Sequence, residues 1–122
     1  MAANATTITS AAIADRRKYL WTEAIIIPTL INSWVVDTGV SPIVGYWKDA
    51  LGIVHLEGAV KSGSSTIFNT ATGYRPKRMM VFPVAAGGAY GQIAVGTDGG
   101  VYYQAGGNIR INLSGVAFRT DA

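Results

Sequence analysis

Residues 91–118 read GQIAVGTDGGVYYQAGGNIRINLSGVAF. Short runs rich in Val, Ile and Tyr alternate here with two clusters of turn residues, TDGG at 97–100 and AGGN at 105–108. Gly, Asp and Asn are the residues that tolerate the positive φ of a tight turn. The stretch therefore reads as three strands joined by two tight turns, the mark of an antiparallel sheet.

The same pattern runs back toward Trp21. Most of the chain's 15 glycines lie downstream of it and punctuate apolar runs of strand length. Eight strands are expected, over residues 29–37, 43–48, 53–61, 66–70, 79–85, 90–96, 101–104 and 109–119. In GIVHLEGAVK (52–61), Val54, Leu56 and Val60 alternate with His55, Glu57 and Lys61, as in a strand with one face buried. The fold class is all-β: a compact antiparallel β-barrel or β-sandwich of about eight short strands. Residues 1–20 form a separate tail or short helix, since TTITSAAIADRRKYL is the one helix-compatible stretch. Residues 21–122 form the β head.

The run MMVFPV (79–84) is apolar on both faces. A strand of that kind needs cover twice, and in a chain of 122 residues a neighbouring subunit is the available second cover. Charged residues make up 14% of the chain against 49% hydrophobic, a thin polar coat that points the same way. Met79, Met80, Val81 and Phe82 are the expected interface or core residues. Pro83 cannot donate to a ladder, so this strand is expected to end or lie at an edge there.

Immediately before that run stands GYRPKR (73–78). Pro76 disfavours helix at Arg75, and Gly73 permits a sharp turn. The segment is a solvated turn leading into a buried strand. With ten basic and seven acidic residues the net charge is +3, short of the dense cationic stripe of a nucleic-acid binder. No nucleic-acid partner is expected. No apolar run reaches membrane-spanning length, so no membrane insertion is expected either.

Little in the sequence suggests catalysis, and no enzyme activity is expected. There is no cysteine, hence no thiolate nucleophile. His55 is the single histidine. Strand spacing puts it on one face with Glu57, but two ligands make a poor metal site. Asp49 and Asp98 sit in Gly-containing turns, where backbone hydrogen bonding explains them. The Gly-rich segments AAGGAYGQ and TDGGVYY precede no helix, which argues against a phosphate loop. Catalytic residues, metal and cofactors are all expected to be absent. Exposed aromatics remain, and an aromatic face complements the C–H face of a sugar.

TLINSWV, GYWKDALGIVHLEGAVKSGSSTIFN, GYRPKRMMVFPV, AYGQIAVGTDGGVYY and INLSGVAFR occur in that order. Together, over residues 21–119, they resemble the C-terminal head domain of bacteriophage head- and tail-fibre and receptor-binding (minor structural) proteins. The chain departs from that pattern at Ala71-Thr72 and Glu57, and it carries no repetitive stalk. The resemblance implies a homotrimeric virion protein, made in the host cytoplasm, that binds host-surface saccharide during attachment. Residues 1–20, set off by the composition break at Trp21, are expected to dock the head on other virion proteins. The alternative is a purely structural capsid decoration or tail-assembly subunit.

If the strands run up and down, their turns alternate between two ends. KDALG, TGYRPKR and TDGG then share the virion end, where Arg75, Lys77 and Arg78 join Arg16, Arg17 and Lys18. TGVSP, SGSS, AAGGA and AGGN share the outer end. The expected receptor residues lie there: Ser62, Ser64, Ser65, Tyr90, Gln104 and Asn108.

Overall fold

A computed structural model describes residues 24–120. The described residues form ten strands: β1 (Val35–Val36), β2 (Gly45–Lys48), β3 (Ile53–Glu57), β4 (Ala59–Lys61), β5 (Thr66–Asn69), β6 (Met80–Ala85), β7 (Tyr90–Val95), β8 (Gly100–Ala105), β9 (Ile111–Asn112) and β10 (Ala117–Arg119). Among them no helix is long and apolar enough to cross a membrane. The expected N-terminal tail or helix, with Arg16, Arg17 and Lys18, lies outside the described residues.

Every strand pair is antiparallel. The strands form three open sheets, ordered β1-β4-β9, β10-β3-β2 and β5-β8-β7-β6. The all-β antiparallel class holds, while the closed barrel does not. Up-and-down order fails too. In the four-stranded sheet β6, β7 and β8 follow one another, but β5 returns beside β8, the Greek-key arrangement. The AGGN segment (105–108) is likewise not a hairpin turn. It carries the chain from β8 to β9, which pairs with β4 in another sheet.

Three expected strands are cut by backbone geometry. Residues 29–37 shrink to β1 because Asn32 and Ser33 both take positive φ (56° and 69°). This pair closes a turn in which Trp34 N donates to Ile31 O at 3.1 Å. Residues 53–61 break at Gly58, with φ 101°. A Cβ there would lie 2.3 Å from Ile43 O, so only glycine lets the strand bend past that loop. Residues 109–119 break opposite the same point. From Val60 to Val54 one strand advances six residues while its partner, from Ile111 to Phe118, advances seven. The inserted residue kinks both strands together, as a bulge does, and turns a single long ribbon into two sheets. Leu113 N donates to Gly58 O at 2.8 Å and Gly58 N to Ser114 Oγ at 3.0 Å, which pins the corner.

One core fills the space between the sheets. Leu56, Ile67, Phe68, Ile93, Val95, Val101, Ile111 and Leu113 are essentially sealed from solvent, each contributing roughly 1.5–3 kcal/mol by burial. Val54, Leu56 and Val60 are buried as alternation requires. Phe82 and Val84 of β6 pack against this core. Met79, Met80 and Val81 do not: they are exposed along the open edge of the sheet.

Candidate binding site at the loop end

Hydrogen bonds sort the turns into two ends. At the first, Lys48 Nζ donates to Gly73 O at 2.7 Å, and Thr70 N to Gly99 O at 2.8 Å. Arg75 clamps this corner, its Nε and Nη2 donating to Thr70 O at 3.1 and 3.0 Å. Thr120 Oγ1 donates to Gly52 O at 3.0 Å and brings Arg119 alongside. Lys48, Arg75, Lys77, Arg78 and Arg119 thus gather at one basic end. Lys77 and Arg78 are exposed there, whereas Arg75 is half-buried and committed to the fold. Left-handed backbone in these turns falls on glycines, Gly52, Gly73 and Gly99.

The opposite end is built differently. Two loops, 31–34 and 62–65, interlock around Trp34. Its indole Nε1 donates to Ser64 O at 3.1 Å, and its ring meets Tyr103 edge-on at 5.4 Å. Asn32 Nδ2 donates to Thr66 O at 2.8 Å, and Ser64 N to Asn32 O at 3.3 Å. The segment 105–108 docks on top: Ser62 N donates to Asn108 O at 2.8 Å, and Asn108 Nδ2 to Gly63 O at 2.9 Å. Among the described residues, Asn32, Ser33, Ser62 and Ser65 are the non-glycine residues with positive φ, at 56°, 69°, 73° and 62°. All four lie in these two loops. A left-handed L-residue costs on the order of 1–2 kcal/mol, somewhat less for Asn.

The six residues expected to face a receptor converge here, and all are exposed. Ser62, Ser64 and Ser65 lie in the interlocked loops, and Asn108 is bonded to them. Ser65 O accepts from Tyr103 N at 3.2 Å, which places Gln104 next to the serines. Tyr90 Oη donates to Gln92 Oε1 at 2.8 Å, and Gln92 Nε2 donates to Gln104 Oε1 at 2.8 Å. Gln104 sits at a bulge: Gln92 pairs with Ala105 while Ile93 pairs with Tyr103. Asn32, Ser33 and Gln92 belong to this end although the sequence reading passed over them. Gln92 stands two residues from Tyr90 on the same strand face, a signal that alternation offers.

The other polar constellations have structural explanations. His55 does not pair with Glu57, which is exposed. Instead its Nε2 meets Asp49 Oδ2 at 2.9 Å, and its ring stacks on Trp47 at 4.3 Å. The β2–β3 turn brings Asp49 back over the strand, a proximity that spacing along one strand does not reveal. Burial pushes the Asp49 carboxyl up, but bonds from His55, Ile53 N and Leu51 N outweigh it, and the pKa lies below the usual 3.8. Asp98 is also lowered, first by the Tyr102 hydroxyl and then by Gly100 N. Tyr102 is raised above 10.0 by the same contact. Both turn aspartates thus bond the backbone, as their place beside glycines implied. A groove of about 370 Å³ runs between residues 82–85 of β6 and the corner at Asn112 and 114–116. Its hydroxyl, Ser114 Oγ, already accepts from Gly58 N. No family model matches the chain, nor does any curated protein or solved structure.

Proposed function

We propose that the chain is the trimeric head of a bacteriophage attachment knob, a non-catalytic virion protein that grips host-surface saccharide at its loop end. One observation carries the reading. Left-handed backbone on non-glycine residues is concentrated in the interlocked loops 31–34 and 62–65, where the exposed hydroxyls and amides gather. At the basic end glycine takes the equivalent positions. Strained backbone that packing holds in place is characteristic of binding loops on a rigid scaffold. Small hydroxyls, amides and one exposed aromatic ring suit a polyhydroxylated ligand. The motif resemblance supplies the biological setting.

In this reading the basic end and residues 1–20 face the particle, and the exposed edge at Met79, Met80 and Val81 meets neighbouring subunits. Single sites are weak, and many copies on one particle supply avidity. The test offers purified head to host envelope glycans. Binding that competes with particle adsorption supports the attachment head. Normal assembly into particles with no glycan bound at any concentration tested assigns the chain instead to a purely structural decoration or tail-assembly role. Release of reducing ends from those glycans would show an enzyme.

A further inference from the structure

The outward face of the four-stranded sheet changes character along its length. By register, Val81, Pro83 and Ala85 of β6 stand opposite Ala94, Gln92 and Tyr90 of β7. At the Val81 end the face carries Ala94 and the ring of Tyr102, whose hydroxyl is bonded to Asp98. Toward the loop end it becomes the hydrogen-bonded row Tyr90, Gln92, Gln104. Tyr90 is 62% exposed, yet its hydroxyl is held by Gln92, and Gln92 is held in turn by Gln104. That is an aromatic ring presented to solvent with its orientation fixed in advance, the condition under which a stacking contact costs least entropy on binding. The row also ends in an open donor. Gln104 Oε1 is occupied, and among the described residues its amide nitrogen donates to no partner.

Charge is missing from this region. Residues 62–74, 79–97 and 99–109 contain no Asp, Glu, Lys or Arg. The neighbouring Arg110 is bound to Asp37 at 2.7 Å, and Lys61 shares the field of that same carboxylate. Among the described residues, the strand and turn segments that carry Tyr90, Gln92 and Gln104 offer a sugar acid or a phosphate-bearing glycan no cation, and desolvating its charge without a partner is unfavourable.

We propose that Tyr90, Gln92 and Gln104 form a subsite for a neutral sugar ring, whose C–H face lies on the Tyr90 ring while its hydroxyls accept from the Gln104 amide. This rests on the attachment reading above and narrows it to uncharged glycans.

The experiment uses the intact trimer, isotope-labelled with nitrogen-15. The probes are methyl glycosides of glucose, galactose and N-acetylglucosamine, with sialic acid, glucuronic acid and glycerol phosphate as anionic counterparts. The side-chain amide signals of Gln92 and Gln104 are followed on titration. At least one neutral glycoside is expected to shift both signals, with an affinity indifferent to salt. Tyr90→Ala should weaken it about tenfold, the loss of a small hot spot. Tyr90→Phe should weaken it less, because stacking survives without the hydroxyl bond. Three results overturn the subsite: preferential, salt-sensitive binding of an anion; host-glycan binding that survives Tyr90→Ala; or dissociation of the trimer by Tyr90→Ala, which would make the row a subunit contact. In each of these the attachment reading can still stand. If no sugar and no envelope glycan binds at all, both fall.

Discussion

Gly63 lies against the indole of Trp34 so closely that a Cβ at this position would fall 2.3 Å from Trp34 Cγ. Trp34 cannot retreat. It is buried at 3% exposure, hydrogen-bonded to Ser64 O and packed on Tyr103. Gly63→Ala should therefore destabilise the head by on the order of 1–3 kcal/mol, the usual range for overpacking. Urea denaturation measures it. In a Trp34→Leu background the same change should cost clearly less, since a smaller side chain leaves room.

Asp37 and Arg110, 73 residues apart, tie the β1 region to the approach to β9. The hydrogen bond from Arg110 is the main cause holding the Asp37 carboxyl below its ordinary 3.8. A carboxyl lowered by folding stabilises the native state above its unfolded pKa. That contribution fades as pH falls through the lower folded value. Asp49 and Asp98 act in the same direction. Thermal stability should accordingly drop as pH falls below about 4. Arg110→Ala should make that acid drop shallower. An unchanged profile in the variant would remove Asp37 from the account.

The phenol of Tyr102 is bonded to Asp98, which raises its pKa above 10.0. Ultraviolet titration should show a tyrosine ionising above 10.0 whose signal Tyr102→Phe removes. Asp98→Asn should bring the pKa of Tyr102 back down, because a neutral amide no longer opposes phenolate formation.

The cations of GYRPKR have separable tasks. Arg75 donates twice to Thr70 O, so Arg75→Ala should lower stability by roughly 1.5–3 kcal/mol, the range for charge-assisted bonds. Lys77→Ala and Arg78→Ala, at exposed positions, should stay within about 0.5 kcal/mol. If Arg75→Ala also leaves the melting temperature unmoved, the clamp is not holding the corner. For particle docking, the informative variants are Lys77→Glu with Arg78→Glu, which should block assembly without unfolding the head.

Light scattering should report a trimer at micromolar concentration. Met79→Ser with Val81→Lys, on the exposed edge, should give a folded monomer with unchanged circular dichroism. Phe82→Asp should instead fail to fold, because Phe82 packs toward the core with its ring 6.5 Å from Phe118 and an unpaired carboxylate there costs several kcal/mol. A wild-type chain that is monomeric and soluble would refute the trimer.

The bounds of strands β5 to β8, though not the place of β5 beside β8, are legible within a residue or two at each end because their signals are local. Alternation and the TDGG turn, where Gly99 takes φ 88°, both act over a few neighbours. The breaks at Gly58 and near Leu113 were not legible. Gly58 is bent by Ile43 O and Val44, which approach from another part of the chain, and one glycine in an apolar run does not announce that. The turn at Asn32-Ser33 was missed for a similar reason, since its left-handed residues are held by bonds to Ser64 and Thr66. The expected strand order does not hold. The turn at 38–42 also leaves the outer end to lie beside Gly58, because β1 runs back from the loop end as Val35 pairs with Lys61 and Val36 with Val60. The other expected turns still divide between the two ends. Antiparallel strands reverse direction at each turn whichever neighbours they take, so the parity that brought Ser62, Tyr90, Gln104 and Asn108 together survives a Greek-key crossing.

The corner at Gly58 also fixes when the head can form. β3 and β4 find their partners in β10 and β9, and the last described bond of that ribbon joins Gly52 to Thr120 across 68 residues. During synthesis the strands at 53–61 must wait, half unpaired, until the very end of the head has left the ribosome. The hairpins of β6, β7 and β8 close over short loops and are free to form first; the ribbon must close a long one, which is slow. A chain stopped near residue 110 would lack β9 and β10 and leave the edges of β3 and β4 open to aggregation.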